Sequence, residues 1–196
     1  MFSVVSENIT RKLEDNLTIK SEDREIYRYG IQQGLTIILN LITTLVIGLI
    51  CGMVWQSVVF MVFYIPLRSF AGGYHEKTPE RCYVFSIVLM FAILLAMRFA
   101  SFTELICSII LLVSSVSIVL LAPVEDRNKP LDELEQKVYR KRALLIWASE
   151  LIVAFVCMLF GQMHLAICLT MTMVVMAIML SLGQLKNMWH QFHKEA

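Results

Sequence analysis

The chain has 196 residues, 58% hydrophobic and only 17% charged, with a mean hydropathy of +0.69. That is too apolar for a soluble globular domain of this size and predicts an integral membrane protein. The formal net charge is +1, and no nucleic-acid partner is expected.

Residues 1–30 alternate charges with single apolar residues. Phe2, Val5, Ile9 and Leu13 recur at helical spacing, which predicts an amphipathic helix lying at the membrane interface. The same stretch lacks a continuous apolar core, so no cleavable signal peptide is expected. Ser21, followed by Glu22, Asp23 and Glu25, reads as an N-cap with acids in the first turn, opening a helix that runs into the first span.

Six apolar runs follow, at 35–50, 53–67, 83–97, 105–122, 144–160 and 165–185. A helix needs about 20 residues to cross a hydrocarbon core of about 30 Å. The second and third runs therefore need snorkelling flanks or a thinner bilayer, and the second, between Gly52 and Pro66, is expected to tilt or to be partly re-entrant. The fold class is all-α, a polytopic membrane protein with six transmembrane helices. Residues 31–186 form the membrane domain and 187–196 a polar tail. Between the fourth and fifth spans lies a basic loop, 123–143. It opens on a turn-rich linker marked by Pro123 and Pro130 and restarts as a charged helix from Leu131, with Glu133 four residues before Lys137.

An even number of spans puts both termini on one side. All but Arg98 of the 17 Lys and Arg then share that side, which the distribution of positive charge assigns to the cytoplasm. The polar loop 68–82 between the second and third spans is cytoplasmic on the same reading.

Of the five cysteines, Cys51, Cys107, Cys157 and Cys168 lie in or beside apolar runs, where cysteine behaves as a small hydrophobe. Their spacing matches neither a disulfide framework nor a zinc site, so reduced thiols, no metal and no cofactor are expected. Cys82 differs. It sits among polar neighbours, seven residues after His75, and a thiol with a base nearby is what nucleophilic catalysis requires. Gly72 and Gly73 let the chain fold sharply after the second span. Thr78-Pro79 reads as an N-cap and first helical position, placing Cys82 in the first turn of the third span. The positive end of that helix, together with Arg81, favours a thiolate. Amides left free in the same turn could receive an oxyanion, and His75 could fold back to take and return the thiol proton. The residues by themselves equally allow an ordinary loop histidine and a cysteine at a helix end.

The pattern Leu67-Arg68-Ser-Phe-Ala-Gly72-Gly73-Tyr-His75, then Cys82, resembles the signature of the accessory gene regulator B (AgrB) family of membrane endopeptidases. Ala122-Pro123 with Asn128-Lys129-Pro130, the chain length and the six-span hydropathy are similar to that family as well. The resemblance implies a cysteine endopeptidase of the bacterial cell membrane that cuts the C-terminal part of a small quorum-sensing propeptide. It implies Cys82 as the nucleophile that keeps the peptide as a thioester, His75 as the base, and Arg68 and Gly73 as positions needed for activity. A side chain within the peptide then closes a thiolactone or lactone ring. Glu76, Asp126 and Asn128 are candidate orienters of His75, although an exposed loop carboxylate is ordinarily just solvated.

Other polar residues have two readings each. Arg140, Lys141 and Arg142, in the basic run 137–142, either anchor to anionic lipid headgroups or dock an acidic tail of the substrate. Glu150 inside the fifth run is costly unless protonated, paired or facing a wet cavity. A hydrogen bond between helices would serve as well as a functional role. His164 falls on the opposite face from Cys82, while His190 and His193 on the tail are the rival bases and a weak metal signal. The methionines fill gaps in the spans. The expected partners are the small propeptide and the lipid bilayer, with a homodimer an assembly that small residues in spans permit. The competing reading is a non-catalytic membrane binding or transport protein with Cys82 incidental and Glu150 part of a solute path.

Overall fold

Apolar runs bounded by capping residues dictate helices throughout. A computed structural model, which describes residues 2–16, 18–74, 76, 78–125 and 131–195, contains seven α-helices and one 3-10 turn, with no strand among the described residues. They are α1 (Phe2–Asp15), the 3-10 turn (Ser21–Asp23), α2 (Arg24–Ile50), α3 (Val54–Ala71), α4 (Pro79–Phe99), α5 (Glu104–Leu121), α6 (Glu133–Leu159) and α7 (Met163–Glu195). Six helices, α2 to α7, are long and apolar enough to cross a membrane, and the chain is a multi-pass membrane protein.

The first helix boundary departs from expectation. Ser21 does not cap α2: residues 21–23 form the 3-10 turn, and Asp23 stands at the N-cap without a side-chain hydrogen bond. What holds this junction is tertiary. Glu7 of α1 pairs with Arg24 and, at 3.5 Å, with Arg28, while Glu14 reaches Arg24 at 3.6 Å. Ser6 and Thr10 are buried, whereas Val4, Val5 and Ile9 are exposed. Buried hydroxyls of α1 thus seat against the protein, with apolar side chains on its outer side.

α3 runs unbroken through Pro66 for 18 residues, about 27 Å at 1.5 Å per residue. It is long and apolar enough to cross a membrane. α4 overcomes the shortness of its apolar run by taking in polar residues at both ends, from Pro79 to Phe99. At the start of α6, Asp132 accepts from the Glu135 amide at 2.7 Å and the Glu135 side chain accepts from the Asp132 amide, a reciprocal capping box. Glu133 and Lys137, spaced to pair, form no ion pair among the described residues.

α7 is the axis of the bundle. It packs against α3, α4, α5 and α6, and 61% of its apolar window is buried, more than in any other span. Leu169, Met173, Met176 and Leu180 of α7 meet Leu67 and Ala71 of α3, Leu111 and Ile118 of α5 and Ala143 and Ala154 of α6 in one core. A second core joins Met171, Val175 and Met179 to Ile47, Phe60, Met90 and Leu94. The methionines in these cores are gap-fillers, as the sequence suggested.

Candidate active site

The site lies at the end of the bundle where α3 stops and α4 begins. Ala71 ends α3, and its carbonyl accepts from the Val124 amide at 2.9 Å. The Gly73 amide in turn donates to the Val124 carbonyl at 3.1 Å, so residues 72 and 124 form a short parallel bridge. Both glycines are required by geometry: Gly72 has φ +68° and a Cβ there would strike the Val124 carbonyl, while Gly73 has φ +117° and a Cβ there would lie 2.9 Å from the Met179 carbonyl. The next amide, Tyr74, donates to that Met179 carbonyl at 2.8 Å. From one turn below, the Arg68 guanidinium donates to the carbonyls of both Gly72 and Tyr74. Arg68 thus acts as a brace for the turn.

Past the loop, Thr78 caps α4. Its hydroxyl accepts from the Arg81 amide at 3.3 Å and its carbonyl from the Cys82 amide at 3.0 Å, with Pro79 in the first turn. Cys82 is therefore in the first turn, as expected, and half-buried. The expected reservoir of free amides is smaller than anticipated. Pro79 has no N–H, and the amides of Arg81 and Cys82 are committed to Thr78, so an oxyanion has fewer donors here than a bare helix start would offer. Tyr83 fixes this end of α4 to α2 through a 2.7 Å hydroxyl contact with Thr43.

Two tyrosines that sequence reasoning missed belong to the same end of the bundle. Tyr64 on α3 and Tyr74 in the loop are both within electrostatic range of Cys82. The Tyr74 hydroxyl donates to Glu76 at 2.7 Å, which holds the phenol above its ordinary pKa. The Tyr74 ring packs 5.7 Å from Phe85 and lies 5.2 Å below the Lys186 ammonium. Along the first turns of α4 an open groove of about 470 Å³ is lined by Glu76, Glu80, Arg81, Val84, Phe85 and Val88, with Cys82 not among the lining residues. It carries polar groups at the loop end and apolar ones along α4.

The remaining candidates sort by position. His75, Lys77, Asp126 and Asn128 lie outside the described residues, as do the side chains of His190 and His193. Arg140 donates to the carbonyls of Ala122 at 2.8 Å and Val119 at 3.2 Å, capping the end of α5, and Arg142 lies 5.2 Å over the Phe70 ring. Lys141 between them is exposed. Glu125 also ties the basic loop together, accepting from Gln136 at 2.7 Å through its carboxylate and from Asn187 at 2.9 Å through its backbone carbonyl. His164 is at the opposite end of the bundle, in a small cavity with Met53, Gln56, Met97, Ile167 and Cys168. Glu150 is 2% exposed, and neither of its carboxyl oxygens has a hydrogen-bond partner among the described residues, so the helix-to-helix hydrogen bond allowed for it is not formed. No group of three or more His, Cys, Asp or Glu among the described residues is arranged to hold a metal ion.

Comparison with known proteins adds a family. The family model described as Accessory gene regulator B matches residues 6–180. A protein of Clostridium perfringens (strain SM101 / Type A), named "Putative AgrB-like protein", is 25% identical over 152 residues, covering 74% of this chain and 71% of its own. A second AgrB-like protein, from C. perfringens strain 13, is 23% identical over the same extent, and one from Lactiplantibacillus plantarum is 24% identical over 143 residues, covering 72% of each chain. No solved structure matches the chain significantly.

Proposed function

The chain belongs to the accessory gene regulator B family, and from that premise we propose that it is a cysteine endopeptidase of the bacterial cell membrane that processes a small quorum-sensing propeptide. In this reading the Cys82 thiolate attacks the scissile carbonyl, and His75 takes the thiol proton and returns it to the departing amine of the C-terminal fragment. The C–N bond breaks and the N-terminal part remains as a thioester on Cys82. A thiol or hydroxyl within that part then attacks the thioester carbonyl. The ring closes as a thiolactone or lactone, and Cys82 leaves as the thiol. No ATP is consumed, because the thioester conserves much of the energy of the cleaved amide; removal of product draws the uphill first step forward.

The observation that carries the reading is the seat of Cys82: half-buried in the first turn of α4, beside a loop whose backbone is held from three directions. A tethered nucleophile in such a seat competes with water through its high effective concentration. The propeptide is the partner in this reading, and the groove along Val84, Phe85 and Val88, on the same helix as Cys82, offers a place for its apolar residues. The bias of Lys and Arg supports a cytoplasmic site with both termini on the same side.

The test is co-expression with candidate short precursor peptides, looking for a covalent peptide–enzyme thioester. Cys82→Ala abolishes both adduct and cleavage, and His75→Ala nearly does. A Cys82→Ala protein that still cleaves the precursor overturns the mechanism.

A further inference from the structure

Met179, Gly183 and Asn187 recur at four-residue spacing on α7 and so share one face of that helix. Each meets a different point of the two loops at the site. The Met179 carbonyl accepts from the Tyr74 amide at 2.8 Å. Gly183 lies so close to the loop that a Cβ there would stand 2.8 Å from both the Gly73 carbonyl carbon and the Tyr74 nitrogen, and 3.0 Å from Cγ1 of Val124. Asn187 donates through Nδ2 to the Glu125 carbonyl at 2.9 Å.

The Met179 carbonyl is also the one that α-helical geometry assigns to the Gly183 amide. A carbonyl has two lone pairs, and the loop uses the second by lying directly on the helix backbone. Such an approach is open only where no side chain stands. Gly183 is otherwise a poor choice for the interior of a long apolar helix, where glycine costs about 1 kcal/mol against alanine. Both Gly183 and Asn187 lie beyond residue 180, where the family match ends.

We propose that the Met179–Gly183–Asn187 face of α7 is a positioning element for the acyl-transfer site. It fixes Gly73 and Tyr74, the two residues that precede His75 in the chain. The inference rests on the reading of Cys82 as nucleophile and His75 as its base. None of the three residues touches the reacting atoms; they act through the loop.

The experiment compares Gly183→Ala, Asn187→Ala, Cys82→Ala and His75→Ala in the full-length chain, with Gly34→Ala, whose Cβ would meet nothing within 4 Å, as control. Two readouts are taken: precursor cleavage on co-expression, and the rate of Cys82 alkylation by iodoacetamide across pH, followed by mass spectrometry of the Cys82 peptide. A displacement of about 1 Å at a reacting group costs on the order of 100-fold in rate, and that is the fall in cleavage expected for Gly183→Ala. Its alkylation profile changes from that of the wild type to that of His75→Ala, whereas Gly34→Ala changes neither readout. Should Gly183→Ala fail to fold, Asn187→Ala loses one hydrogen bond and is expected to cleave about threefold to tenfold more slowly, its profile moving in the same direction. Wild-type cleavage and a wild-type profile in the folded variants overturn the positioning role while leaving Cys82 in place. Cleavage by Cys82→Ala instead overturns the underlying reading.

Discussion

The Gly73 amide meets the Val124 carbonyl at 3.1 Å, although the two residues belong to loops on either side of α4 and α5. This hydrogen bond, with its companion from the Val124 amide to Ala71, makes the linker after α5 the second wall of the loop that leads to Cys82. The glycine pair is therefore a clamped turn.

That arrangement predicts the behaviour of Gly72→Ala. A side chain at this backbone conformation, essentially confined to glycine, costs about 1–3 kcal/mol, and here it also meets the Val124 carbonyl and must part the two loops. The contact joins two loops at one end of the bundle, so the protein should insert and retain its helix content by circular dichroism while precursor cleavage is lost. Cleavage at the wild-type rate would show that the bridge to Val124 is dispensable.

The basic run separates into roles that its composition could not distinguish. Arg140 caps α5 and Arg142 covers Phe70, so reversing either charge removes a packing contact as well as a cation. Lys141 is exposed and tests docking of an acidic substrate tail by itself. Lys141→Glu is expected to leave thermal stability within about 0.5 kcal/mol and to weaken processing. Arg140→Glu should lower the melting temperature by several degrees. Equal processing by Lys141→Glu and wild type would return this residue to the lipid headgroups.

How far the sequence carries is visible in these same residues. The spans were legible because hydropathy is a local sum, and so was the start of α4, since Thr78 and Pro79 act within one turn. The bridge from Gly72 to Val124, the brace from Arg68 and the central place of α7 were not legible. They join segments that carry no common periodicity, and a backbone acceptor such as the Met179 carbonyl leaves no trace in residue type. One signal was available: an isolated glycine inside an apolar helix costs about 1 kcal/mol against alanine, and Gly183 has a packing reason that offsets it. Ser21 misled because a local capping pattern competed with the ion pairs that Arg24 makes to α1.

The seat of α1 should depend on pH. The hydrogen bond from Arg24, with a further contribution from Arg28, holds the Glu7 carboxyl below its ordinary value of 4.5. A depressed folded-state pKa means that the stabilisation is present at neutral pH, where the carboxylate is charged in both docked and undocked states. It is lost as pH falls below 4.5 and through the folded-state value. The protection factors of the α1 amides, taken against the intrinsic exchange rate at each pH, should therefore fall on acidification below that range, and in high salt, before the spans lose protection. Glu7→Gln should show the lowered protection already at neutral pH; protection in that variant equal to wild type would assign the docking to packing instead.

Glu150 tests the competing reading of the chain as a transporter. Its carboxyl is 2% exposed in α6 with no partner among the described residues, and a buried polar group left unsatisfied costs about 1–3 kcal/mol. Glu150→Leu removes that cost at similar volume, so the variant should melt higher than wild type, with a gain in unfolding free energy of about 1–3 kcal/mol. It should also cleave the precursor at the wild-type rate, because Glu150 lies mid-span, away from the end of the bundle that holds Cys82. A variant that melts higher yet no longer processes precursor would give the carboxyl a functional role within the bundle. One that melts lower would mean that Glu150 is satisfied in the membrane by a partner outside the chain, and its burial would then be a contact rather than a cost.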